Sequence, residues 1–182
     1  MGFRLLIKFL LLSVMTGNLG LAGQALAAPA EENKVKAAII FNLARFVDWP
    51  RSAFPEAASP LVLGVLPQEP LAEALENLTG KTVQHRKVLV KKSGKIDDLK
   101  KCQIVFISNT EKPAALTILP ALQGSLVLTV TDGYEDFTYL GGIINLVSAD
   151  GKIRFQINLR AARQAGLSLS SQLIKLAQSI VE

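Results

Sequence analysis

Apolar and polar positions along this chain fall into short blocks of two kinds. Over Glu31–Trp49 apolar residues recur at helical spacing, and Val35, Ile39, Ile40, Leu43, Ala44, Phe46 and Val47 share one broad arc expected to face the core. Asn42, Arg45 and Asp48 lie on the other arc, and Phe41 falls among them, off the apolar stripe. Pro50 is expected to stop this helix. Leu61–Leu66 is continuously apolar, the pattern of a strand buried on both faces, and Gln103–Ser108 and Ser125–Val130 repeat it. Pro67–Pro70 reads as a turn, and Leu71, Ala74, Leu75 and Leu78 mark a short helix ended at Gly80. Lys87–Val90 reads as a strand, Ile96–Lys101 as a helical or irregular link, and Pro113–Leu122 as a helix with proline at its start.

Buried strands alternating with helices imply parallel pairing in a layered sheet. The last third changes pattern. Gly142–Val147 and Lys152–Asn158 flank an Asp-Gly pair, which is a hairpin signal, and Ile153, Phe155 and Ile157 alternate with polar neighbours. Asn158 is positioned to cap a helix that ends at Gly166, with Leu167 making the accompanying apolar contact. Ser170 opens a last helix whose Leu173, Ile174, Leu176, Ala177, Ile180 and Val181 form a stripe for docking on the sheet. The expected fold is α/β: a layered sheet of mainly parallel strands flanked by helices, ending in an antiparallel hairpin and a C-terminal helix.

The first residues change the compartment. Arg4 and Lys8 precede an apolar run, Phe9–Met15, and Ala25-Leu26-Ala27 supplies a small-x-small cleavage pattern. Basic, apolar, small is the layout of a secretory signal peptide, and the run is shorter than the roughly 20 residues a spanning helix needs. Residues 1–27 are therefore expected to be removed, leaving 28–182 as a single soluble periplasmic domain. Ala28 follows the cut where a lipoprotein would have Cys. The formal charge of +5 falls to +3 once Arg4 and Lys8 are gone. The densest basic stretch, from Lys81 to Lys101, lacks interleaved aromatics and reads as a solvated strand with its loops rather than a nucleic-acid surface. Cys102 is the only cysteine, so no intrachain disulfide can form; it reads as a small buried side chain, with an intermolecular bridge or redox thiol as the alternatives.

The residues argue against most enzymes. Leu78–Thr82 contains Gly-Lys-Thr, but Leu75 stands where a phosphate loop needs its first Gly, and a helix precedes it instead of a strand. His85 is the single imidazole and there is no G-x-S-x-G elbow, so a hydrolase lacks its base. One His and one Cys, far apart, do not make a zinc site. Asp132, Glu135 and Asp136 lack the spacing of a calcium loop and read as turn and cap residues, with weak cation binding behind that. No cofactor is expected. Asn109 and Asp132 follow buried strands, and the crevice at the carboxyl ends of such strands is the usual ligand site. They are the candidate small-ligand residues.

Val35 to Pro50, read VKAAIIFNLARFVDWP, resembles the opening helix of the YfiR-like periplasmic proteins. Leu63–Leu66, Cys102–Ser108, Gly141–Ile144 and Arg154–Asn158 with Ala161, Ala162, Gly166 and Leu167 are similar to later segments of that family, in the same order. The resemblance implies a compact α/β fold that often dimerises and has no enzymatic activity. It implies a negative regulator that restrains a membrane-bound diguanylate cyclase by binding its periplasmic sensor region, with cyclic di-GMP and biofilm as the output. It also implies sequestration by an outer-membrane peptidoglycan-associated lipoprotein. Relatives serve other membrane partners such as sensor kinases. Members of that branch carry paired cysteines, and here only Cys102 remains, so control through an internal disulfide does not carry over.

Two readings follow. In the first, the protein inhibits a membrane signalling enzyme, with Phe41, Arg45 and Trp49 on a partner or self-association surface; the rival for these aromatics is cover by the Arg51–Pro60 segment. The resemblance adds Ile157, Asn158, Leu159, Ala162 and Leu167 as a second partner patch. In the second, the protein is a small-ligand sensor without direct cyclase control, using Asn109 and Asp132.

Overall fold

The computed structural model describes residues 22–149 and 151–182, with backbone alone at 22–28. The chain divides into Met1–Asn33 and Lys34–Glu182. In the first unit the described part is helical backbone. Most of the expected leader lies outside the described residues, and the expected cut after Ala27 falls where side chains are not described. Among the described residues no helix is long and apolar enough to cross a membrane.

Helices and strands alternate as α1 (Ala22–Leu43), β1 (Val47–Asp48), β2 (Leu61–Val65), α2 (Ala72–Glu76), β3 (Thr82–Val83) and β4 (Arg86–Lys92). They continue as α3 (Ile96–Leu99), β5 (Ile104–Ser108), α4 (Lys112–Leu122), β6 (Leu128–Asp132), β7 (Ile144–Ala149) and β8 (Lys152–Asn158). The chain closes with α5 (Leu159–Gln164), β9 (Ser168–Leu169), α6 (Ser171–Leu176) and β10 (Ser179–Val181). An eight-stranded sheet runs in the order β10-β8-β7-β6-β5-β2-β4-β3. The block from β7 to β4 is parallel, whereas β7–β8 and β3–β4 are antiparallel.

The continuous apolar runs feed both sheet faces because side chains alternate along a strand. Ile104 and Phe106 pack with α1, α2, α5 and α6, while Val105 and Ile107 pack with α3 and α4. Cys102 is buried on the second face, and a Cβ added at Gly64 would lie 2.8 Å from its Sγ, so the small thiol and the bare glycine fit as a pair. Asn158 caps α5 through a 3.0 Å bond accepted from the Ala161 N–H, and Gly166 at φ +69 ends the turn that buries Leu167.

Four expectations are corrected. The first helix starts at Ala22 and stops at Leu43, well before Pro50, because Val47 and Asp48 are recruited to pair with Leu169 and Ser168. Its buried line runs through Ala37, Ile40 and Leu43, and Val35 is 49% exposed. The third buried strand begins at Leu128, not Ser125: Gly124 and Ser125 complete a turn after α4 before the Leu128 N–H reaches the Gln103 carbonyl. The last helix ends at Leu176, and Ile180 and Val181 lie on edge strand β10, paired parallel to β8.

Candidate functional site

The Phe41 ring sits at the border of the α1 core line, half-buried against the core. Together α1 and α2 form a groove of about 310 Å³ with Phe41, Ala38 and Leu78 among its walls. Lys34 and Lys81 stand at the same groove, and the Lys81 ammonium lies 6.0 Å from the centre of the Phe41 ring. Among the described residues no carboxylate lines it. Arg45 is exposed one turn further on and has no ion-pair partner among the described residues. Trp49 is half-buried, and its enclosed indole N–H has no hydrogen-bond partner among the described residues. Within the Arg51–Pro60 segment, Phe54 stacks on Arg86 at 3.6 Å from the ring centre, and Arg86 donates to the Ser59 carbonyl at 2.6 Å.

The second expected patch does not form a surface. Ile157, Asn158, Leu159, Ala162 and Leu167 are all buried. Their side chains go to the core, to the α5 cap and, for Asn158, to the Thr138 carbonyl at 3.4 Å, so α5 shows only Arg160, Arg163 and Gln164 outward.

The carboxyl ends of β5 and β6 do bring Asn109 and Asp132 together, since Ser108 pairs with Asp132 and Gly133 lies under the Asn109 side chain. Asp132 is not open to a ligand's cation, because Lys36 on α1 holds it at 2.6 Å with both groups largely shielded. The group that sequence reasoning missed is Glu69, 4% exposed in the turn after β2. Its carboxylate accepts from the Leu71 and Ser108 N–H groups, both at 3.2 Å, and ties β2 to β5. Burial pushes its carboxyl above the ordinary range despite those two bonds and the Ser108 side chain, with the charge of Glu111 adding to the rise. Tyr134, beside this cluster, has an enclosed hydroxyl without a partner; desolvation, then Glu111 and Glu69, push it up to about 12. The only sequence signal for Glu69 was its place between two prolines directly after a buried strand.

Among the described residues no group of three or more His, Cys, Asp or Glu side chains is placed to hold a metal ion. His85 is exposed in the tight β3–β4 turn, where Gln84 and His85 adopt φ +48 and +63. The basic stretch is solvated as expected, with Lys91 on Asp98 at 3.3 Å and Lys92 on Glu76 at 2.8 Å.

Compared with known proteins, the sequence matches the family described as YfiR/HmsC-like over residues 33–178. Among curated proteins none matches. Among solved structures the fold is similar to a conserved domain protein from Vibrio cholerae O1 biovar eltor, at 16% identity and TM-score 0.54, covering 81% of this chain and 60% of that one. It is also similar to the ABC domain in complex with L-Trp from Streptococcus pneumonia, at 11% identity and TM-score 0.48, covering 68% of this chain and 56% of that one. The chain thus spans about three fifths of the length of these solved chains, and the first of them shares its α/β fold.

Proposed function

The chain belongs to the YfiR/HmsC-like family, and from that premise we propose that it is a periplasmic regulator restraining a membrane-bound signalling enzyme, a diguanylate cyclase, by binding its periplasmic sensor region. Restraint by binding requires a higher affinity for the inactive state of the enzyme than for the active one. The observation that carries the reading is the Phe41 groove. A half-buried aromatic and two lysines line it, exposed Arg45 follows Phe41 by four residues in the chain, and aromatic and Arg side chains are the favoured anchors of interfaces.

Phe41→Ser tests it. Repression of cyclic di-GMP synthesis in cells, and binding of the cyclase periplasmic region to purified protein, are measured beside the unfolding free energy. The expected result is a loss of about 2 kcal/mol or more in binding, roughly 30-fold, as for an interface anchor. The expected stability cost stays below the roughly 3–5 kcal/mol of removing a fully buried Phe. Unchanged repression and binding would refute the surface, and a stability loss in the full core range would make Phe41 a core residue. The compartment has its own check: N-terminal sequencing of exported protein is expected to begin at Ala28.

A further inference from the structure

The turns leading into β5 and β6 border a cleft of about 460 Å³, at the amino ends of these central strands, whereas Glu69 lies beyond the carboxyl end of β2. Its size is that of a small-molecule site. One wall is the segment after Trp49, with Ser52 and Ala53, and this wall is anchored. Gln103 donates from Nε2 to the Ala53 carbonyl at 2.6 Å, and its Oε1 accepts from the Val62 N–H at 2.7 Å. The cleft is therefore bounded by backbone tied to the central sheet.

Its chemistry is one-sided. Lys100 and Lys101 line it, and neither forms an ion pair among the described residues. The hydroxyls of Ser52 and Ser125 line it, and neither has a side-chain partner among the described residues. Gly124 and Leu126 also line it, and among the described residues no backbone carbonyl accepts their N–H groups. Among the described residues no lining side chain carries a carboxylate. At the floor, burial pushes the Cys102 thiol up to about 11, so it stays neutral and adds no negative charge. Ala53 and Leu126, both half-buried, supply apolar surface beside the donors.

We propose that this cleft binds a small organic anion, with a phosphate or carboxylate head held by Lys100, Lys101, Ser125 and Ser52 and an apolar body against Ala53 and Leu126. Charge-assisted hydrogen bonds from ammonium groups and backbone N–H groups are the strong interactions available to such a head. The site is separate from the Phe41 groove and does not depend on the regulatory reading.

Amide chemical shifts of the protein are followed during titration with phenyl phosphate, with inorganic phosphate and benzyl alcohol titrated in parallel to separate head from body. Phenyl phosphate is expected to shift the Gly124, Ser125 and Ser52 amides and to bind more tightly than either fragment. Lys100→Ala with Lys101→Ala, both exposed and so compatible with folding, is expected to weaken it at least about tenfold. Lys34→Ala with Lys81→Ala, in the other groove, is expected to leave it unchanged. Should the lysine variants destabilise the protein, Ser125→Ala is the second probe and is expected to weaken phenyl phosphate alone. Scattered shifts, equal binding of benzyl alcohol, or affinity unchanged without Lys100 and Lys101 would each overturn the site. Binding lost equally in the Lys34 and Lys81 variant would reduce it to overall charge attraction, which also overturns it.

Discussion

Asn145 is the second residue of β7, with 1% exposure, and its side chain makes four hydrogen bonds. Its Oδ1 accepts from Thr131 Oγ1 at 2.9 Å and from the Tyr134 N–H at 3.1 Å. Its Nδ2 donates to the Tyr134 carbonyl at 2.8 Å and to Gln156 Oε1 at 3.0 Å. One amide thus joins β6, β7, β8 and the loop that follows Asp132. Asn145→Leu keeps the volume and strands the N–H and carbonyl of Tyr134, itself 2% exposed. Each stranded buried group costs about 1–3 kcal/mol. The gain from the new apolar side chain is about 1–2 kcal/mol. A net loss of about 3 kcal/mol is expected. In urea, with a slope of about 2 kcal/mol per M, the unfolding midpoint should fall by about 1.5 M at constant slope. Gln156→Ala removes a single one of these bonds and should cost about 1 kcal/mol. A loss below about 1 kcal/mol for Asn145→Leu would refute the reasoning, because the Tyr134 backbone would then have found other partners.

Three further outcomes are expected. Tyr134→Phe removes an enclosed hydroxyl that has no partner and should raise stability by about 1 kcal/mol in the same urea assay; a loss of that size would mean the hydroxyl is satisfied in solution. Glu69 has a folded-state pKa raised above its unfolded value of about 4.3, so its contribution is fully present below that value and is lost as pH rises through the folded pKa. Stability of the wild type relative to Glu69→Gln should therefore fall from acid toward neutral pH, and a flat or opposite trend contradicts this. Cys102 is the single cysteine and is buried as a neutral thiol, so reductant should leave the melt of the monomer unchanged and a thiol reagent should label it at neutral pH only under denaturing conditions.

The three buried, mainly apolar runs were legible as strands because each is short, rich in β-branched residues and bounded by turn residues, as burial on both faces requires. The β7–β8 hairpin with Gly151 at φ +69, the Asn158 cap and the Gly166 stop were legible for a local reason: each satisfies backbone geometry within a few residues, and Asp150 of the expected turn lies outside the described residues. Phe41 stood out because a wheel shows an aromatic outside the apolar arc, and it does lie at the border of the core. The second patch was not legible. Inheritance from similar proteins names positions, and only packing tells which of them point inward, as Ile157, Leu159 and Ala162 do.

By itself the sequence determined what local energetics and composition can determine: the α/β class, the order of the buried strands, the caps and turns, and the lack of any disulfide within the chain. Tertiary structure decided the rest. Residues 47–48 leave helical periodicity for a two-residue ladder with Ser168 and Leu169, supported by the Ser170 N–H on the Phe46 carbonyl at 2.9 Å. Ile180 and Val181 leave it for an edge strand fixed by the Gln178 N–H on the Phe155 carbonyl at 2.8 Å. Over so few residues an apolar run fits a helix or a strand equally, and a partner distant in sequence decides between them. The Lys36–Asp132 pair, the Glu69 tie from β2 to β5 and the basic cleft before β5 and β6 have the same origin. Each joins groups far apart in the chain whose proximity exists only once the sheet is assembled.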